Sequence, residues 1–154
     1  MFKDKLIYKL PGAKGYGLHQ DWIAWPGFPR SFLTAAVAID PCGLDNGCTI
    51  AYRGYHCQGC LSPEDGNYHP LPAETVAENS ALALELEPGD VALFGCFTPH
   101  RSAPNTADGP RRGYFVSYNA RSDGGDQYAR HYREFHDWLR AKAPAEKRPH
   151  LYFR

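Results

Sequence analysis

The sequence predicts a mainly β protein, a sandwich or jelly roll that ends in one helix, and three observations lead to this fold class. The 154 residues include 15 Gly, 13 Pro and 10 Tyr, a composition rich in turn-forming and β-favouring residues. Short apolar segments alternate with Gly- and Pro-containing turns over the first 120 residues, as in proteins built from short strands. After residue 126 the apolar residues change to helical spacing.

The predicted strands follow one another along the chain, and turn residues separate them. The first strand stops at Pro11-Gly12, and the long apolar run stops at Asp40-Pro41. Polar segments rich in Gly and Pro, at 53–80 and 101–110, are predicted to be loops, and a loop as long as the first commonly serves a function. Strands are predicted at 5–10, 32–39, 48–52, 81–86, 91–97 and 113–119.

The domain organisation that we predict is a single jelly-roll domain spanning residues 1–154. A chain of this length matches the usual size of one domain. Its parts are a β core over 1–120, a helix over 126–143 and a polar tail over 144–154. Six or seven strands ahead of one helix favour the jelly roll.

The predicted helix carries an apolar stripe on one side. Asp126 is the expected N-cap. We expect the stripe to pack against the sheet as part of the core, whereas His131 and His136 fall on the polar side and are expected to be solvated. The stripe consists of Tyr128, Tyr132, Phe135 and Leu139.

Composition excludes several classes of partner and compartment. The chain has 17 basic and 17 acidic residues and a pI near 7.0, which argues against nucleic acid and anionic membranes as partners. No apolar segment approaches the ~20 residues of a membrane-spanning helix, and the first ten residues lack the apolar core of a signal peptide. Five cysteines without a disulfide-like spacing indicate the reducing cytoplasm.

The most informative residues are His19, Asp21 and His100. Residues i and i+2 of a strand point to the same face, so His19 and Asp21 can bind one ion while Gln20 points away. His100 would supply a third ligand from a distant strand. Two imidazoles and one carboxylate on one face of a metal are typical of non-haem Fe(II) oxygenases. An HxD motif alone is a weak signal, and the residues after His100 strengthen it.

Arg111 lies eleven residues after His100, at the start of the last predicted strand. A guanidinium beside the metal suits bidentate capture of a carboxylate. A co-substrate that chelates iron at one end and carries a carboxylate at the other would fit between them, and 2-oxoglutarate is such a molecule.

The sequence resembles the phytanoyl-CoA dioxygenase family of Fe(II)/2-oxoglutarate oxygenases in four segments. LIYKLPG at 6–12 resembles the strand before the metal site, and GLHQD at 17–21 matches the H-Q-D ligand motif. The segment 39–56 matches a stretch with Asn-Gly-Cys and Gly-x-His. The segment 87–118 matches the Gly-Asp strand, the distal His, the Asn five residues later and the Arg eleven residues later. Together these motifs are specific.

The resemblance implies a double-stranded β-helix (cupin-like jelly roll) and a set of site residues. His19, Asp21 and His100 would bind Fe(II), and Arg111, helped by Ser102, would hold the distal carboxylate of 2-oxoglutarate. Two further residues that match family positions, as co-substrate contacts or supports of the ligands, are Gln20 and Asn105.

The reaction that the resemblance implies is hydroxylation of a small molecule with O2, releasing succinate and CO2. Related halogenases carry a small residue in place of the carboxylate, so Asp21 favours hydroxylation. A position in the strand after HxD that often holds Trp or Thr is Ala36 here. The runner-up interpretation is a cupin-like metal-binding module without turnover.

The N-terminus departs from the family pattern. Only 18 residues precede His19, whereas family members usually have a longer, partly helical segment that covers one sheet. We therefore expect a shortened chain or a fragment. An uncovered sheet face would favour a homo-oligomer.

Two further groups have a structural and a functional interpretation. Trp22 and Trp25 follow the ligand motif and are candidates for lining a substrate pocket, although large aromatic residues are more often part of the core. Cys57 and Cys60 suggest zinc, with His56 and His69 nearby, but a second CxxC is absent. Free thiols are therefore the favoured interpretation.

Overall fold

A computed structural model describes residues 1–142, which form two four-stranded antiparallel sheets and one helix. The first sheet has the strand order β1-β8-β3-β6, and the second has the order β2-β7-β4-β5. Strands from the two ends of the chain therefore lie side by side in each sheet, as in a double-stranded β-helix. The strands are β1 (Lys3–Lys9), β2 (Tyr16–His19), β3 (Leu33–Ala38), β4 (Thr49–Tyr52), β5 (Ala81–Ala83), β6 (Val91–Gly95), β7 (His100–Ser102) and β8 (Arg111–Tyr118), and the helix is α1 (Tyr128–Lys142).

The predicted strands are confirmed with small shifts of their ends, and one predicted loop is wrong. Residues 100–102 form β7, which pairs with both β2 and β4 in the second sheet. A three-residue strand is too short to show a period, and its neighbours on both sides stabilise it. The loop between β4 and β5 contains three 3-10 turns, at Tyr55–Gln58, Ala73–Thr75 and Glu78–Ser80.

The inner face of the first sheet follows from the alternation of its strands. In β3, Thr34, Ala36 and Ala38 are buried, whereas Leu33 is exposed, because successive side chains of a strand point to opposite faces. The small alanines leave space between the sheets, and two apolar clusters close the rest of the interior. The buried members of these clusters are Leu18, Ile50, Tyr52, Leu71 and Val76 in one, and Phe2, Trp22, Phe32 and Cys96 in the other.

The helix α1 is confirmed, but its apolar stripe is not a core element. No residue of α1 is buried, and Phe135 is 40% exposed. Only the first part of the helix packs against β1, where the hydroxyls of Tyr128 and Tyr132 donate to Asp4. Phe135 instead stacks on rings of the helix itself, those of His131 and Trp138.

The expectation that His131 is solvated is wrong. Its ring packs 4.6 Å from the ring of Phe2, and burial lowers the pKa of His131 to about 4. His136 is half-buried rather than fully solvated. The predicted tail at 144–154 lies outside the described residues, and within residues 1–142 no helix is long and apolar enough to cross a membrane.

Candidate metal centre

The fold brings His19, Asp21 and His100 together. His19 ends β2 and is paired across the second sheet with His100, the first residue of β7. One potential ligand atom from each of the three side chains lies within 4.8 Å of the other two. Both histidines are buried, and His19 Nε2 lies 3.9 Å from Asp21 Oδ1. Within residues 1–142 this is the one group of three such side chains that could hold a metal.

The main chain orients both imidazoles for metal binding. His19 Nδ1 lies 2.8 Å from the carbonyl of Gly17, and His100 Nδ1 lies 3.0 Å from the carbonyl of Thr98. A proton on each Nδ1 satisfies these carbonyls and leaves Nε2 with a free lone pair, the usual arrangement of metal-ligating histidine. Burial, aided by the nearby His100, lowers the pKa of His19 to about 4, so its imidazole is neutral at pH 7.

Asp21 is held as a carboxylate by its neighbours. The hydroxyl of Thr34 donates to Asp21 Oδ2 at 3.3 Å, and Thr34 Oγ1 lies 3.1 Å from Ser117 Oγ. Burial by itself would raise the pKa of Asp21, but electrostatic interactions, of which those with His100 and Lys3 are the largest, outweigh it and lower the pKa. Two imidazole nitrogens and one carboxylate, with no fourth protein ligand among the described residues, form a donor set that suits Fe(II).

Arg111 lines a small cavity on the inner face of the first sheet. The cavity walls also include Ala36, Ala38, Gly113 and Phe115. Arg111 is buried, and its Nε and Nη2 donate to the main-chain carbonyls of residues 46 and 47 at 3.2 and 3.0 Å. Because it forms no ion pair with a carboxylate of residues 1–142, the cavity contains a guanidinium that can bind an anion.

Lys9 is a second buried cation beside Arg111. The two residues are directly paired between β1 and β8, and both donate to the carbonyl of Gly47. Lys9 Nζ also contacts the carbonyl of Ala103 and lies 3.1 Å from Ser102 Oγ. The sequence analysis did not single out Lys9. Its position in the sequence could have pointed to it, because Lys3, Lys5 and Lys9 lie on the same face of β1.

The structure places Ser102, Asn105 and Gln20 near the centre, with their side chains bonded to other groups. Ser102 Oγ accepts hydrogen bonds from Lys9 and from the amide of Tyr16. Asn105 is fully buried and binds main-chain groups of residues 9, 107 and 109. Gln20 binds main-chain groups of residues 59, 61 and 97. These contacts support the loops around the centre, and contact with a co-substrate stays a prediction for all three.

The two tryptophans lie in different environments. Trp22 is buried in the cluster with Phe2 and Phe32, and its Nε1 has no hydrogen-bond acceptor within residues 1–142. Trp25 is 43% exposed and donates from Nε1 to the carbonyl of Gly66 in the long loop. A role of either residue in substrate binding stays a prediction.

The cysteines form no metal group within residues 1–142. Cys57 is exposed, and Cys60 is half-buried with its Sγ 3.3 Å from the carbonyl of Ser62. All five cysteines are free thiols, in agreement with the favoured interpretation.

Comparison with known proteins gives a matching family model and relatives of similar sequence. The family model of phytanoyl-CoA dioxygenase (PhyH) matches residues 1–113. The chain is 35% identical over 126 residues to a 2-aminoethylphosphonate dioxygenase of the uncultured bacterium HF130_AEPn_1, covering 80% of this chain and 47% of that protein. It is 34% identical over 125 residues to a methylphosphonate hydroxylase of Gimesia maris, covering 80% and 46%.

A solved structure shows the same fold. The epimerase SnoN, in complex with Fe3+, α-ketoglutarate and nogalamycin RO, superimposes with a TM-score of 0.64 at 22% identity over 77% of this chain and 48% of that chain. The chain thus spans about half the length of the curated relatives that it matches. The match of the family model to most of the chain, together with relatives above 30% identity, shows that the chain belongs to the phytanoyl-CoA dioxygenase family.

Proposed function

We propose that this protein is an Fe(II)- and 2-oxoglutarate-dependent dioxygenase that hydroxylates a small molecule and releases succinate and CO2. The observation that carries the proposal is the group formed by His19, Asp21 and His100. Main-chain carbonyls hold both imidazoles with Nε2 free. The family relatives, among them a dioxygenase and a hydroxylase of phosphonates, support the same reaction class.

Each part of the site has a distinct task in this reaction. His19, Asp21 and His100 would hold the metal, and the bound metal would supply the activation of O2. Arg111 would bind the distal carboxylate of 2-oxoglutarate through its guanidinium, with Lys9 adding positive charge beside it. Thr34 fixes the orientation of the Asp21 carboxylate. Because Asp21 occupies a ligand position, the reaction that we propose is hydroxylation rather than halogenation.

An anaerobic titration with Fe(II) and 2-oxoglutarate tests the proposal. The chelate of these two ligands gives a weak visible charge-transfer band, which we expect in the native protein. His100→Ala should abolish the band, and Arg111→Ala should raise the 2-oxoglutarate concentration needed for it by tenfold or more, since a charge-assisted pair is lost. Arg112→Ala is the matched control, because Arg112 is half-exposed and pairs with Asp40 on the outside of the sheet.

A protein that binds the metal but gives no band would contradict the proposal. That result would favour the alternative, a cupin-like module that binds metal without turnover. Circular dichroism of both variants separates loss of the site from loss of the fold.

We propose a small molecule as the partner in catalysis and a location in the cytoplasm. We also propose that the protein self-associates through the outer face of the first sheet. Apolar side chains on this face run across all four strands in one row, from Leu6 through Tyr114 and Val37 to Val91. Leu6 is 61% exposed and Val91 is 50% exposed, and exposed apolar patches of this kind favour association.

A further inference from the structure

Two lysines on the inner face of β1, Lys3 and Lys5, are in direct ion-pair contact with no carboxylate of residues 1–142. Lys3, Lys5 and Lys9 alternate along the strand with Leu6 and Tyr8, which point outward, so the three lysines share the inner face. Lys9 is bonded to three oxygens.

Both lysines adjoin the candidate metal centre. Lys3 lies opposite Ser117 in the sheet, and Ser117 contacts Thr34, which donates to Asp21. Lys3 Nζ lies 5.1 Å from the centre of the Phe32 ring. The charge of Lys3 also acts on the Asp21 carboxylate, whose pKa it lowers.

Lys5 lies opposite Phe115. Its Nζ lies 5.7 Å from the centre of the Phe115 ring, and that ring forms part of the cavity wall that leads to Arg111. Lys5 is exposed and Lys3 is half-buried. A ligand can therefore reach the ammonium of Lys5 from solvent and extend toward Lys3.

With a divalent metal ion and 2-oxoglutarate bound, the charges of the site balance without these lysines. The two charges of a divalent ion and that of Arg111 are offset by Asp21 and by a dianionic co-substrate. Lys3, Lys5 and Lys9 then add three positive charges in a partly buried space. Unpaired charge is costly away from water, so the arrangement favours one more anion.

The other side of the centre is aromatic. The ring of Tyr16 lies 4.7 Å from the ring of His19, and that of Tyr68 lies 5.9 Å from it. Tyr16 is 56% exposed and Tyr68 is 44% exposed. An organic molecule bound at the centre would meet aromatic rings on the side of His19 and the ammonium group of Lys3 on the side of Asp21.

We infer that the substrate is a small organic anion whose oxyanion group is bound by Lys3 and Lys5. This inference rests on the proposed function, because it places the carbon part of the substrate over the metal centre. A phosphonate and a carboxylate offer the same chemistry to the two ammonium groups. A neutral molecule would leave both cations unpaired.

Calorimetry under anaerobic conditions tests the inference, with the full chain loaded with Fe(II) and 2-oxoglutarate. Methylphosphonate and acetate are the anionic probes, and the neutral diester dimethyl methylphosphonate is their control. We expect the stronger-binding anion to lose affinity by about tenfold in Lys5→Met and in Lys3→Met, and to bind within a few-fold of native affinity in Lys5→Arg. Lys14→Met, at an exposed position in the loop before β2, should leave binding unchanged.

Each result decides the assignment. Equal binding of the diester, or native affinity for the anions in both methionine variants, would overturn it. A shift of the 2-oxoglutarate requirement instead would assign the lysines to the co-substrate. The visible charge-transfer band of the Fe(II) and 2-oxoglutarate chelate tests the proposed function separately. If the native protein lacks this band but its affinity for the anion still depends on Lys5, the anion site is supported and the oxygenase function is not. Lys5→Met, at an exposed position, carries the test if Lys3→Met fails to fold.

Discussion

Asn105 illustrates how a residue near the centre supports it through the main chain. Its amide donates at 2.9 Å to the carbonyls of Lys9 and Gly109, and its oxygen accepts from the amide of Ala107 at 3.0 Å. These bonds join the end of β1 to the loop that leads into Arg111. Because the side chain is fully buried, water cannot replace the bonds.

We expect Asn105→Ala to lower the free energy of unfolding by about 3 kcal/mol, since buried main-chain groups lose their partners. Urea unfolding measures this change. Asn67→Ala, in an exposed turn, should change stability by less than about 0.5 kcal/mol. Native stability combined with a higher requirement for 2-oxoglutarate would instead make Asn105 a co-substrate contact, as the family resemblance implies.

At the scale of elements, Gln20 connects the ligand motif to the long loop. Its amide nitrogen donates to the carbonyls of Gly59 and Phe97 at 2.9 and 2.7 Å, and its oxygen accepts from the amide of Leu61 at 2.7 Å. Through these bonds Gln20, which stands between His19 and Asp21, holds the long loop next to the ligand motif.

Gln20→Leu should release this part of the loop. We expect chymotrypsin to cleave between residues 55 and 68 at least tenfold faster than in the native protein. Without the hydrogen bonds of Gln20, the free energy needed to open the loop falls by about 1.4 kcal/mol or more. Gln58→Leu is the control, since Gln58 is exposed on the same loop. Equal cleavage rates in the two variants would show that other contacts hold the loop.

We expect the stability of the fold to depend on pH through His131, whose ring packs on that of Phe2 just before β1. Burial is the main cause that lowers the pKa of His131 to about 4, with Lys3 and His136 adding to it. Between pH 6.5 and 4 the unfolded chain therefore binds a proton that the folded chain does not. The sign follows directly: stability contributed by neutral His131 is complete above pH 6.5 and falls as the pH decreases through this window.

His131→Gln should reduce the slope with which the free energy of unfolding falls between pH 6.5 and pH 4. Urea unfolding at pH 4.5, 5.5 and 7 measures it, and His19, also buried and neutral, accounts for a remaining part. His56→Gln, at an exposed position, should keep the native slope. An unchanged slope in His131→Gln would mean that the helix leaves the sheet before His131 takes up a proton.

Six of the eight strands and the grouping of His19, Asp21 and His100 could be predicted from the sequence, whereas β2, β7 and the packing of single residues could not. Strands such as β3 and β8 show their period, and the HxD spacing fixes which side chains share a face. The short β7 shows no period, and its pairing partners come from distant parts of the chain. Buried lysine is rare, so a lysine in a strand is first expected to face solvent. The pairing of β1 with β8 is what places Lys9 on the inner face beside Arg111.

At the scale of the whole molecule, the outer face of the first sheet carries exposed apolar side chains on several strands. Leu93 is 65% exposed and Leu6 is 61% exposed. We expect light scattering to show a mass that rises with concentration, and Leu6→Lys combined with Leu93→Lys to return the protein to a monomer, because charge opposes burial of the face. A monomeric mass of the native protein throughout a dilution series would contradict self-association.

The candidate metal centre also couples parts of the fold that are distant in sequence. His19 and His100 lie on neighbouring strands of the second sheet, and Asp21 is bonded through Thr34 to the first sheet. The unfolded chain does not bring these three ligands together. A metal that binds only the folded state stabilises it by mass action, by about 2.7 kcal/mol at a hundredfold excess over Kd.

This coupling predicts a rise in Tm of about 5–10 °C with saturating Fe(II) under anaerobic conditions, since 1 kcal/mol shifts Tm by roughly 2–4 °C in a protein of this size. Calorimetric scans with and without metal measure the rise, and a chelator should reverse it. Asp21→Ala removes one of three ligands and should abolish most of it, whereas Asp65→Ala, in the exposed turn of the long loop, should keep it. An equal rise in both variants would show that the stabilising metal does not depend on the Asp21 carboxylate and would contradict its assignment as a ligand.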